Sequence, residues 1–267
     1  MSCRVALVTN TLYEGLGLAA ALALAEEGFA LALVHRAVTN RPTSDVDEFE
    51  ARLRSLLKTR DVPHCVERLN LAEPGTAADL VNRIEGELGP IAAVVNAEGS
   101  SAFPHRDLLD TTDADWAQAV AMELVGPLNL VRACLPGMRK RRWGRVIDFV
   151  MQSDYWGSHL ALRGGHPLSV DSWPFRLGKH ARAGITQTLW LSERRHGITF
   201  NDLAVSRIEN ISLEALADED QPPAPGTSSS VAEVVRFLCS EPGGFVTGST
   251  LNVVGDPLIY HLPTAGA

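Results

Sequence analysis

The chain has 267 residues, 45% of them apolar, which suffices for one large α/β core, and a single domain over 1–267 is the expected organisation. With 24 basic against 32 acidic residues the net charge is −8, and no basic block is present to track phosphates, so nucleic acid is not an expected partner. No apolar run approaches the ~20 residues of a membrane helix, and Cys3, Cys65, Cys134 and Cys239 lack Cys-x-x-Cys spacing, so the expectation is a soluble cytoplasmic protein without a metal site.

In chain order, apolar β-type runs alternate with segments of helical period, the pattern of a parallel sheet covered on both faces by helices. A strand at Val5–Thr9 leads into an Ala/Leu-rich helix over 15–27, stopped by Gly28 before a second strand at 29–35. Ser44 is placed to cap a helix whose Val46, Phe49, Leu53, Leu56 and Leu57 share a face, and 66–69 supplies a third strand. A third helix carries Leu80, Val81, Ile84 and Leu88 and ends at Gly89 and Pro90. The short apolar run 91–95 that follows reads as a central strand buried on both faces.

Thr112 or Asp113 begins a long helix through Trp116, Val120, Leu124, Leu128, Val131 and Leu135, with a kink expected at Gly126 and Pro127. A strand at 145–150 is followed by a Gly-, Ser- and His-rich stretch, 151–172, too long for a plain connection and therefore expected near the site. A helix over 173–196, a strand at 199–204, a polar stretch over 219–230, a helix at 231–239 and a strand at 250–254 complete a doubly wound, Rossmann-like parallel sheet of about seven strands with helices on both faces.

Local matches give this order a family. The start Val8-Thr9-Asn10-Thr11-Leu12-Tyr13-Glu14-Gly15-Leu16-Gly17 resembles the Thr-Gly-x-x-x-Gly-x-Gly turn of short-chain dehydrogenases/reductases. Asn96-Ala97-Glu98-Gly99 resembles their Asn-Asn-Ala-Gly motif, Trp116 to Gly126 their Trp-x6-Asn-Leu-x-Gly helix, Lys179 to Thr186 their Lys-x-Ala-x-x-Gly-Leu-Thr run, and Phe245 to Gly255 their closing strand. The resemblance spans nearly the whole chain. It implies an NAD(P)-dependent carbonyl reductase or alcohol dehydrogenase built on a Rossmann-like fold. Cofactor contacts would fall on Thr9, Asn10, Gly15, Leu16, Gly17, Arg36, Asn70, Asn96, Ala97, Gly99 and Lys179.

At the chemical positions the same comparison departs from the family. Asn10 stands for the first glycine, Glu14 brings an anion to a loop that would hold a diphosphate, Asn70 replaces an aspartate, and Glu98 interrupts the Asn-Ala-Gly turn. Arg36 sits where a basic side chain pairs with the 2′-phosphate of NADP, and reads equally well as a solvated loop arginine. Lys179 is kept, but Phe175 occupies the position of the proton-donating tyrosine, Glu123 that of the asparagine, and Met151 that of the serine. Losing a positioned general acid costs ~10²–10⁴ in rate. Ser153 two residues on, with Tyr155, His159 or His166, offers a replacement from within 151–172. Trp156 and Trp173 read as core packing or pocket lining.

Three readings follow. A non-catalytic subunit, or pseudoenzyme, would pair with an intact paralogue through the helices at 112–135 and 173–196. An enzyme of altered chemistry, an oxidoreductase or a non-redox lyase or isomerase, would use Glu123 and Lys179 as an acid–base pair, and Lys179 would otherwise be a lysine held by a carbonyl or by Glu123. A dinucleotide sensor needs the glycine turn to work. The substrate is not legible: the acidic segment 208–230, where the family places its lid, carries no signature.

Overall fold

In a computed structural model the described residues are 4–12, 15–36, 42–98, 108–150, 173–206, 208, 213 and 226–254. Seven parallel strands form one sheet in the order β3-β2-β1-β4-β5-β6-β7. They are β1 (Val5–Thr9), β2 (Ala30–His35), β3 (His64–Arg68), β4 (Ile91–Asn96), β5 (Gly144–Val150), β6 (Ile198–Ser206) and β7 (Ser249–Val254). β4 is the middle strand, and Val5–Thr9, Ala30–His35, Ile91–Asn96 and Gly144–Val150 are buried throughout, as continuous apolar runs between two helical layers should be.

One layer is α1 (Leu16–Glu26), α2 (Thr43–Thr59) and α7 (Ser228–Cys239). Its Leu18, Leu22, Phe49, Leu53, Val231 and Val235 pack on Ala6, Val8, Leu31, Leu33, Ile147 and Leu203. The other layer is α3 (Thr76–Glu87), α4 (Asp113–Val120), α5 (Gly126–Arg141) and α6 (Trp173–Arg194). There Leu80, Ile84, Leu130, Val131 and Ile185 meet Val5, Leu7, Val94, Val146 and Phe200. Strand residues two apart share a face. Asn96, Asp148 and Asp202, each two residues beyond a core residue of the second layer, therefore point toward α6.

Some expectations need correction. Ser44 does not cap α2: the helix begins one residue earlier, Pro42 is the N-cap, and Ser44 Oγ lies in the first turn donating to Asp45 Oδ1 at 3.2 Å. Thr112 does cap α4, in a reciprocal box with Asp115. The disturbance expected at Gly126 and Pro127 is a π-helical turn over Ala121–Val125, in which the Gly126 N–H reaches back to Ala121 O. The helix then continues to Arg141 and stops at Arg142, which is left-handed at φ +55°. The run Asp113–Arg141, 29 residues with mean hydropathy 1.2 over its most apolar stretch, is long and apolar enough to cross a membrane, contrary to the sequence reading. Its Leu130, Val131, Cys134 and Met138 are buried against the sheet and its neighbouring helices. Trp173 is not core: at the start of α6 it is 44% exposed, with the Arg176 guanidinium 5.6 Å from its ring.

Candidate active site

In a doubly wound sheet the crevice opens at the carboxyl ends of the strands where their order reverses, here between β1 and β4. Thr9 ends β1, and its buried Oγ1 accepts from the backbone N–H groups of Ala97 at 3.0 Å and Glu98 at 3.1 Å, tying the turn after β4 to β1. Asn10 takes a left-handed φ of +55°, which asparagine tolerates better than most residues, and its Nδ2 donates to Ala97 O at 3.1 Å. A Cβ on Gly17 would stand 2.5 Å from the carbonyl oxygens of both Thr9 and Asn10, so only glycine lets α1 start this close to the strand. Gly15 is the extended N-cap of α1 and Leu16 its first residue. No acid lies in the first turn of α1 itself.

Beside this turn a small pocket of about 10 Å³, room for about one water, is lined by Arg36, Leu69, Asn70, Leu71, Asn96, Glu98, Met122 and Pro127 among others. Asn70 spends its polar atoms within its own turn, accepting from Ala72 N at 3.2 Å and donating to Glu73 Oε1 at 3.1 Å. Glu98 is 8% exposed. Burial pushes its carboxyl above the ordinary range, against the pull of Arg182 and Arg36.

The other side of the crevice is built differently. Pro127 has no N–H to give to the carbonyl four residues back, and the π-turn shifts the Gly126 N–H from Met122 to Ala121, so the carbonyls of Met122 and Glu123 lose their helical donors. Arg182, fully buried on α6, takes both: Nη2 donates to Met122 O at 3.3 Å and Nε to Glu123 O at 2.9 Å. Its Nη1 reaches Asn96 O at 3.2 Å and Glu98 O at 2.6 Å, and Nη2 lies 2.6 Å from Glu123 Oε2. One guanidinium thus joins α6, the π-turn and the end of β4.

Lys179, one helical turn before Arg182, is bound into the same cluster. Its Nζ donates to the carbonyls of Glu98 and, at 3.2 Å, Phe149, and stands 3.2 Å from Glu123 Oε2. Two carbonyls take two of the three N–H donors of the ammonium, and Glu123 is its ion-pair partner. Burial, with the nearby Arg182 charge, draws its pKa down to about 8, while Glu123 holds it up. Gly178 makes room for this acid, since a Cβ there would fall 2.8 Å from Glu123 Cβ and Cγ. Phe175 sits on the preceding turn, its ring 5.6 Å from Lys179 Nζ. A third group of buried polar residues continues across the sheet. Asn96 Nδ2 donates to Asp148 Oδ1 at 2.8 Å, and Asp202, the register partner of Asp148, accepts from Thr250 Oγ1 at 3.4 Å.

Thr9, Asn10, Gly15, Gly17, Asn96, Ala97, Glu123 and Lys179 are therefore gathered at one end of the sheet, with Arg36 and Asn70 on the rim of the pocket. Glu14, Gly99, Met151, Ser153, Tyr155, Trp156, His159 and His166 lie outside the described residues. Sequence reading missed Arg182, Asp148 and Asp202. The signal was present: Arg182 follows Lys179 by three residues on one helix face, and each aspartate is an acid within a strand that is otherwise largely buried.

A family model described as enoyl-(acyl carrier protein) reductase matches residues 12–255. The chain belongs to the short-chain dehydrogenase/reductase family. Its relatives include the BbsC subunit of (2S)-[(R)-hydroxy(phenyl)methyl]succinyl-CoA dehydrogenase from Thauera aromatica, 28% identical over 96% of this chain and 95% of that protein. An acetoacetyl-CoA reductase from Rhizobium meliloti is 25% identical over 94% and 97% of the two chains. The fold is that of the acetoin dehydrogenase YohF from Salmonella typhimurium, with a TM-score of 0.74 over 99% of both chains at 23% identity. The family implies a nicotinamide dinucleotide. On the β1–β3 side, Gly17 and the N-terminus of α1 offer backbone of the kind a diphosphate needs, while the pocket by Arg36 is too small for an adenosine as it stands. The β4–β5 side fits its second ribose poorly, because the lysine that would hold the sugar is buried, donates to two carbonyls and is ion-paired with Glu123.

Proposed function

We propose that this family member is a non-catalytic subunit that assembles with an intact short-chain dehydrogenase/reductase through the outer faces of α4–α5 and α6. The observation that carries the reading is the closure of Lys179: an ammonium bonded to two carbonyls and a buried carboxylate neither orients a ribose nor tunes a proton donor, and the residue on the preceding turn is a phenyl ring. Glu123 and Lys179 are close enough to exchange a proton, but Glu123 is fully buried and clamped by Arg182. Catalysis by this pair would require both to be open to a substrate. The helices proposed for assembly expose apolar side chains, with Val120 46%, Leu177 53% and Leu191 68% accessible. A relative aligned over nearly its whole length is itself named as a subunit of a dehydrogenase. Any dinucleotide held would sit by its adenosine half, with Arg36 favouring NADP.

Co-expression with intact short-chain dehydrogenases/reductases of the same organism tests the proposal. The expected outcome is a stable mixed oligomer whose turnover is abolished by mutating the partner's tyrosine and unaffected by Phe175→Tyr in this chain. Reductase turnover by the isolated chain would contradict it.

A further inference from the structure

The interior beneath α6 holds more acid than base. Among the described residues its buried charged side chains are Glu98, Glu123, Asp148 and Asp202 against Lys179 and Arg182. Glu123 Oε2 engages both cations, at 3.2 Å and 2.6 Å. The aspartates of the sheet are left without an ion-pair partner of their own, an arrangement a dry interior does not sustain with both carboxyls ionised.

Their placement is specific. Asp148 on β5 and Asp202 on β6 are register partners on paired parallel strands, roughly 4.8 Å apart, and both are fully buried. Each has one oxygen satisfied, Asp148 Oδ1 by Asn96 Nδ2 and Asp202 Oδ2 by Thr250 Oγ1. The other oxygen of each, Asp148 Oδ2 and Asp202 Oδ1, is buried with no formed hydrogen bond, although the Thr186 hydroxyl on α6 lies near enough to Asp202 to oppose the rise of its pKa. Two buried acid oxygens on neighbouring strands, with one hydroxyl beside them, are what a single proton would satisfy.

We propose that Asp148 and Asp202 hold one proton between their unpartnered oxygens, so that β5 and β6 are clamped by a carboxylic acid–carboxylate pair whose strength falls as pH rises. The groups acting on the pair are Asn96 from β4, Lys179, Arg182 and Thr186 from α6, and Thr250 from β7. Burial raises both acids, Asp148 to about 6 and Asp202 to about 7. The charge of Asp148 adds to the rise at Asp202, while Arg182 opposes it at each. The direction for stability follows. The folded chain keeps a proton that the unfolded chain releases near pH ~3.9, so this contribution is complete below that value and is lost as pH rises through 6 to 7.

Urea unfolding of the whole chain between pH 5 and 8.5, compared with Asp202→Asn and Asp148→Asn, tests the pair. Histidines titrate in the same window, so the readout is the difference in slope. The wild-type unfolding constant is expected to rise by up to about tenfold per pH unit more steeply than that of Asp202→Asn, whose amide supplies the missing donor at every pH. Equal slopes would overturn the proposal. Carboxyl carbon NMR of the wild type labelled at aspartate is independent of whether the variants fold. A resonance titrating between pH 6 and 7 is expected, and titration of every aspartate below pH 5 would overturn it.

Discussion

The two sides of the crevice solve the same problem with different chemistry. On the β1–β3 side the turn is shaped by backbone: Gly17 lets α1 approach within contact of Thr9 and Asn10, Asn10 supplies the left-handed residue, and Thr9 ties two strand ends together. On the β4–β6 side it is filled by charge: Arg182, Lys179 and Glu123 knit α6 to the π-turn and the end of β4. On the first side the close approach of backbone sets the geometry; on the second, buried charges are turned on one another.

The comparison breaks most visibly at Glu123. Replacing it by Ala leaves two buried cations facing each other, and a loss of about 3–5 kcal/mol in unfolding free energy is expected from urea denaturation. Removing Glu123 and Arg182 together, by Leu at both positions, is expected to cost less than the sum of the single changes, because neither partner is left uncompensated. Additive costs would show that the cluster is not the unit described. The steric side is tested by Gly17→Ala, whose Cβ meets two carbonyl oxygens at 2.5 Å, and the junction between the sides by Gly178→Ala, which presses on Glu123. Each is expected to cost about 1–3 kcal/mol in the same assay. The smallest effect belongs to Asn10. Asn10→Ala loses about 1 kcal/mol through the left-handed φ and the bond to Ala97 O, whereas Asn10→Gly relieves the backbone and stays near wild type in thermal melts.

These residues also mark how far the sequence could be read. Strand and helix order was legible because parallel strands are continuous apolar runs and the helices carry clear apolar stripes, and the central place of 91–96 followed from its composition alone. The departures at Phe175, Glu123 and Glu98 were legible as substitutions against the family pattern. Their joint meaning was not, because it depends on Arg182, which a helical pattern presents as one more polar residue, and on carbonyls freed by Pro127 and a π-turn. A π-turn has no composition of its own. The aspartates of β5 and β6 were visible as charges in apolar strands, but only the register between non-adjacent segments makes them neighbours.

The most direct test of the account is a titration of the purified chain with NADH and NADPH, followed by nicotinamide fluorescence and calorimetry up to millimolar concentration. With Lys179 buried, bonded to two carbonyls and ion-paired with Glu123, the prediction is no nicotinamide signal and at most weak heat from the adenosine side, greater for NADPH if Arg36 takes part. Micromolar binding with a fluorescence change at the nicotinamide would mean that Lys179 releases its internal partners for the ribose, and would contradict the claim that this half of the crevice has become part of the core.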